Sequence, residues 1–61
     1  MEIFTDKATK RKYTKYYYFF AYAIKEEAEQ IIKKELSQKE IKEIKIVDTG
    51  NYLNAVAYVF I

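Results

Sequence analysis

Cysteine, histidine, proline and tryptophan are missing from this 61-residue sequence, and glycine occurs once. Without cysteine no disulfide can staple a small fold, and without cysteine and histidine the usual structural zinc site cannot be built. The same two absences remove the nucleophile–base pairs of covalent catalysis. A single glycine cannot supply a phosphate-cradling loop or a dinucleotide fingerprint. Asp48 and Asn51 offer too few oxygens for an EF-hand calcium loop and read as parts of a plain turn. The glutamates fall mainly on a solvated helix, with no inward-held pair for glycoside chemistry. No run approaches the ~18 consecutive apolar residues of a membrane span. These exclusions point to a non-enzyme with no metal, no cofactor and no evident small-molecule substrate.

What is present is apolar and aromatic. Hydrophobic residues make up 51% and aromatics 18%, with seven Tyr and four Phe, a composition far from that of a disordered chain. One domain is the upper bound at this length, and a domain of this size buries only about 60% of its unfolded surface. Small folds compensate with staples or with association. Staples being excluded, association or a dense core remains. The expectation is a soluble, intracellular protein. The one leader-like pattern, basic residues to Lys15, apolar Tyr16–Ile24 and Ala21-Tyr22-Ala23, is Tyr-rich rather than Leu-rich, and cleavage would leave 38 residues. Ten Lys to one Arg, with abundant Ile and Glu, fits a heat-adapted protein or an AT-rich coding sequence.

Charge is unevenly placed. Residues 1–23 hold five basic residues (Lys7, Lys10, Arg11, Lys12, Lys15) against Glu2 and Asp6, a net +3. Residues 24–48 hold six Lys against six Glu and Asp48, a net −1, and residues 49–61 carry no charged side chain. An uncharged strand on a sheet edge invites aggregation, so the last strand belongs in the middle.

The sequence predicts an α+β domain of (β)βαββ order. One helix, about 24–36, packs on one face of an antiparallel sheet of three to four strands. Residues 13–23 read as a long aromatic strand. Ile24, Ala28, Ile31, Ile32 and Leu36 recur at helical spacing, with Glu26, Glu27 and Glu29 early and Lys33 and Lys34 late, as the macrodipole favours. Ser37-Gln38-Lys39-Glu40 matches a capping box, so a further short turn is expected before the next strand. Ile44–Val47 and Tyr52–Ile61 are the remaining strands, joined through Asp48-Thr49-Gly50-Asn51. Glu2–Thr5 is expected as a short strand, making residues 1–12 a basic N-terminal strand or arm. The long strand and the Ile44–Val47 strand then flank the last one. A sheet with the first and last strands paired at its centre is the alternative.

Alternation assigns the faces. Leu53, Ala55, Ala57, Val59 and Ile61, with Ile44 and Ile46, are expected beneath the helix, together with Tyr18, Phe20 and Tyr22. The opposite surface then carries Tyr17, Phe19, Tyr52, Val56, Tyr58 and Phe60, edged by Lys15 and Lys45. One helix covers one face, and an aromatic patch of this extent marks an interaction site. Association through it, as a homodimer or with a partner protein, is the reading carried forward. The alternative is single-stranded nucleic-acid binding, with bases stacked on the aromatics and phosphate drawn to Lys10, Arg11, Lys12, Lys15 and Lys45. A small viral or plasmid-encoded inhibitor or adaptor also fits the size and composition.

Residues 15–22, KYYYFFAY, resemble the third-strand signature of the RNA-recognition motif, with Lys15, Tyr17, Phe19 and Tyr22 at its basic and aromatic places. The following IKEEAEQII is similar to the helix that succeeds that strand, with Ala28 at the matching offset. The resemblance spans about a third of the chain and implies a base-stacking sheet face. It departs where small residues belong, at Tyr16 and Tyr18, and the family's other signature strand is missing.

Overall fold

The computed structural model describes residues 1–61. The chain runs β1 (Phe4–Thr5), β2 (Lys12–Phe20), α1 (Lys25–Glu35), β3 (Ile41–Asp48) and β4 (Leu53–Phe60). The strands form one antiparallel sheet in the order β1-β2-β4-β3. The uncharged β4 is therefore interior, between the long aromatic strand and the Ile/Lys strand. Tyr17 stands opposite Val56 on β2–β4, and Lys45 stands opposite Val56 on β3–β4.

Small residues on β4 let the helix approach. Ala55, Ala57 and Val59 are buried against Ile32 and Leu36, and Tyr16, Tyr18, Phe20, Ile41, Ile44 and Ile46 pack around that cluster. Ala28 and Ile32 of α1 and Leu36 at its C-cap, spaced four apart, form its buried stripe. Ile24 and Ile31, expected within the same arc, are exposed, because one sheet receives a narrower stripe than the periodicity offers. Glu29 and Lys33 pair at 2.9 Å along the solvent side.

Four local expectations are corrected. The long strand ends at Phe20 rather than residue 23, and Tyr22, expected inward, is wholly exposed. The chain leaves the sheet plane there to enter α1, so alternation stops. Ile61 is exposed as well. An 11-residue helix is about 16 Å long, whereas an eight-residue strand spans about 27 Å, so α1 does not reach the end of β4. The short turn expected after α1 is present at residues 36–39, but not as a capping box: the Glu40 carboxylate instead takes two hydrogen bonds from Arg11, at 2.8 and 2.9 Å.

The turns behave as their residues dictate. Gly50 has φ +95°, and its N–H donates to Asp48 Oδ1 at 2.8 Å. Asp6 organises the β1–β2 connection, accepting from the Ala8 N–H and the Thr9 hydroxyl. The N-terminal residues are thus a strand and a turn rather than a loose arm. Thr14, the one buried polar residue, donates its hydroxyl to the Glu2 carbonyl at 2.8 Å, which holds the chain start against the sheet.

The domain is thinly buried. Only eight of its 61 residues are buried, and 4704 Å² remains accessible, against about 4,200 Å² for a typical monomer of this mass. Its radius of gyration is 12.3 Å, where a compact domain of this length has roughly 10.5 Å. The face that no helix covers contributes to that surface, with Tyr17, Phe19, Val47 and Tyr52 all exposed.

Candidate interaction face

The face opposite α1 is built by three rows of outward side chains. β2 contributes Tyr13, Lys15, Tyr17 and Phe19, and β4 contributes Asn54, Val56, Tyr58 and Phe60, standing opposite them. β3 contributes Glu43, Lys45 and Val47. All six residues assigned to this face from the sequence are on it or at its edge. Tyr52, just before β4, joins it by packing on Phe19 with ring centroids 5.0 Å apart.

The two ends of the face differ in kind. At the β1 end the rings are held by each other and by cations. Phe4 stacks on Tyr13 at 5.6 Å, and Tyr13 meets Tyr58 edge-on at 5.9 Å. The Lys15 ammonium lies 4.3 Å from the Phe4 centroid and 5.6 Å from that of Tyr58. Lys42 and Lys45 also lean over Tyr58, at 5.9 and 5.5 Å. Contacts of this kind contribute about 0.5–1 kcal/mol each at exposed sites. Arg11 lies over the Phe60 ring at 3.9 Å while its guanidinium grips Glu40. The hydrogen bonds to Glu40 raise the Arg11 pKa above its ordinary value, and those same bonds hold the Glu40 carboxyl below its own.

The other end is bare. Tyr17 is 72% exposed and Phe19 63% exposed, and Val47 and Tyr52 are also open. Between them lies a shallow hollow of about 280 Å³, walled by Tyr17, Lys45, Val47, Asn54 and Val56. No cation lies over these rings.

Of the basic residues singled out for phosphate, Lys15 and Lys45 sit on this face over the aromatics. Arg11 is engaged by Glu40, and the Lys12 ammonium donates to the Thr5 hydroxyl at 2.7 Å. Lys10 is in the β1–β2 turn with φ +60°. Three contributors were missed. Tyr13 follows from alternation two residues before Lys15, and Phe4 requires knowing that it pairs with Tyr13. Lys42 reaches the face because the register of β3 against β4 shifts between Ile41 and Glu43, and no sequence pattern marks that bulge.

A second hollow, about 320 Å³, lies between the β2–α1 connection and the β3–β4 turn, with Tyr22, Glu27, Asp48 and Asn51 in its wall. No group of three or more acidic, His or Cys side chains is placed to hold a metal ion. No helix is long and apolar enough to cross a membrane. No protein-family model, no curated protein and no solved structure matches the chain.

Proposed function

We propose that the chain is a small non-enzymatic interaction module that associates, with its own copy or with a partner protein, through the sheet face opposite α1. The bare Tyr17–Phe19–Tyr52–Val47 end carries this reading. Those residues expose apolar surface that no element of the chain covers, in a domain whose accessible area exceeds that of a typical monomer. Burying such surface gains about 25 cal/mol per Å².

Size sets the strength. Three strands about 4.8 Å apart and eight residues at about 3.3 Å give a face roughly 14 by 26 Å. That is smaller than the ~800 Å² per partner of a standard interface. Association through this face alone is therefore concentration-dependent. Sedimentation or light scattering over a dilution series is expected to show a particle of more than one chain at high concentration. The double variant Val47→Lys, Tyr52→Lys places charge on the bare end and is expected to weaken assembly with far-UV circular dichroism unchanged. A monomer at every concentration, with no partner protein retained by the wild type and lost by the variant, refutes the proposal.

The convergence of Lys15, Lys42 and Lys45 over Tyr58 supports a second reading, single-stranded nucleic acid bound at the cationic end. Base stacking on Tyr13 and Tyr58 combined with phosphate contact gives strongly salt-dependent binding. Oligonucleotide titration with tyrosine fluorescence tests it. Lys15→Gln and Lys45→Gln should reduce the salt slope, whereas no binding at low salt retires this reading.

A further inference from the structure

The backbone of β2 is paired on one side along its length and on the other side only at its start. The Ile61 N–H donates to the Lys12 carbonyl at 3.0 Å. In an antiparallel ladder the paired groups alternate, so the even-numbered residues of β2 address β4 and the odd-numbered ones address β1. β1 takes only Lys12 and Tyr13. The N–H and C=O groups of Lys15, Tyr17 and Phe19 face outward past the end of β1, and no backbone or side-chain hydrogen bond outside the sheet ladders involves them. The backbone of α1 lies nearer β3 than β2.

The two long edges of the sheet are unlike. β3 is interrupted by its bulge between Ile41 and Glu43 and carries Lys42, Glu43, Lys45 and Asp48, the devices that keep an edge from pairing. β2 has no charge, proline, glycine or bulge from Tyr16 to Phe20. An uncharged stretch is compatible with its own copy run antiparallel, because a two-fold axis then sets no like charges opposite each other.

We infer that the free edge of β2 pairs antiparallel with β2 of a second copy, joining the two sheets into one eight-stranded sheet. The N-terminal residues select the register. β1 holds the edge at Lys12 and Tyr13, and its register carried on through Ile3 and Glu2, whose carbonyl is bonded by the Thr14 hydroxyl, sets them beside Thr14 and Lys15, leaving Tyr16–Phe20 open. An axis through Tyr18 uses that opening: Tyr17 pairs with Phe19 of the second copy and Phe19 with its Tyr17, making about four inter-chain hydrogen bonds. Both helices then lie on one side of the joined sheet, and the two bare aromatic ends meet on the other. The outer strands of the joined sheet are the protected β3 edges, so growth stops at two chains. This pairing goes beyond packing through the face, and either interface stands without the other.

Amide hydrogen exchange of the wild-type chain, read by NMR at high and low concentration, tests the pairing without any substitution. Tyr16 and Tyr18 amides are internal to the β2–β4 ladder and exchange slowly in either case. The Tyr17 and Phe19 amides are expected to exchange at least 100-fold more slowly in the assembled sample than in the dilute one. Tyr17→Pro provides the second measurement, since proline is tolerated where a strand N–H faces solvent but cannot donate to an added strand. Its Phe19 amide should exchange rapidly at the concentration at which the wild-type amide is slow. An assembled wild-type particle whose Tyr17 and Phe19 amides exchange as fast as those of an unstructured peptide overturns the edge pairing and leaves the face as the contact. A wild type that is monomeric at all concentrations overturns it as well.

Discussion

Ile31 and Ile32 are adjacent, identical in chemistry and opposite in environment, so truncating each in turn measures how α1 is seated. Ile32 is wholly buried against β4, while Ile31 is 47% exposed. Ile32→Ala removes three carbons from the core. At about 0.8 kcal/mol each this is roughly 2.4 kcal/mol of transfer energy, and the residual cavity raises the loss to about 3 kcal/mol. A domain of this length is stable by roughly 3–9 kcal/mol, so the variant sits near the edge of folding, with Tm lowered by about 12–24 °C. Ile31→Ala loses about half the transfer energy and leaves no cavity. It also recovers a few tenths of a kcal/mol in helix propensity, for a net loss of about 1 kcal/mol or less. Urea unfolding followed by far-UV circular dichroism, at a dilution that keeps the chain monomeric, gives both values from shifts in midpoint at constant slope. Equal losses at the two positions would refute the seating of the helix on Ala28, Ile32 and Leu36.

Three other perturbations have definite outcomes. The hydrogen bonds from Arg11 hold the Glu40 carboxyl below its usual range. The stability they contribute is therefore present above the ordinary Glu pKa and is lost as pH falls through the depressed one; thermal melts between about pH 5 and pH 2 should show an acid-side component that Glu40→Gln lacks. Burial raises the Tyr18 pKa, with smaller contributions from Glu35 and Tyr16. Its stabilising effect is full below the ordinary value near 10 and disappears as pH climbs through the raised value, so near-ultraviolet titration should show a late-ionising tyrosine that Tyr18→Phe removes. Gly50 has φ +95° with nothing within 4 Å of an added Cβ, so Gly50→Ala should cost only the backbone preference, about 1–2 kcal/mol, in a urea titration; a greater loss would mean that the turn is crowded.

Much of the architecture is legible before folding because β4 states it plainly. Leu53, Ala55, Ala57 and Val59 alternate with Asn54, Val56, Tyr58 and Phe60, and that pattern assigns both faces and the position of the helix, while the absence of charge gives the strand its central place. The aromatic face followed from the same alternation. What escaped depends on contacts distant in the chain. Glu40 satisfies a capping-box pattern with Ser37 three residues away, yet its carboxylate is claimed by Arg11, 29 positions distant. Phe4 joins the face only through its pairing with Tyr13, and the division into a cation-covered end and a bare end depends on where long lysine side chains come to rest. Tyr22 misled because aromatic composition continues past the point where the strand geometry ends.

Five consecutive aromatics, Tyr16 through Phe20, make β2 nearly invariant to a shift of one position. A slip on β4 would exchange alanine for tyrosine beneath the helix at once, whereas a slip of β2 replaces one ring by another and barely changes what is buried. The information that places β2 is concentrated at its start, in the Thr14 hydroxyl bonded to Glu2 and in Lys15, whose ammonium belongs over Phe4 and Tyr58 rather than under α1. Neighbouring registers of β2 are therefore close in buried content, and the alignment rests on two side chains at its start. Lys15, a surface residue by most measures, is one of them.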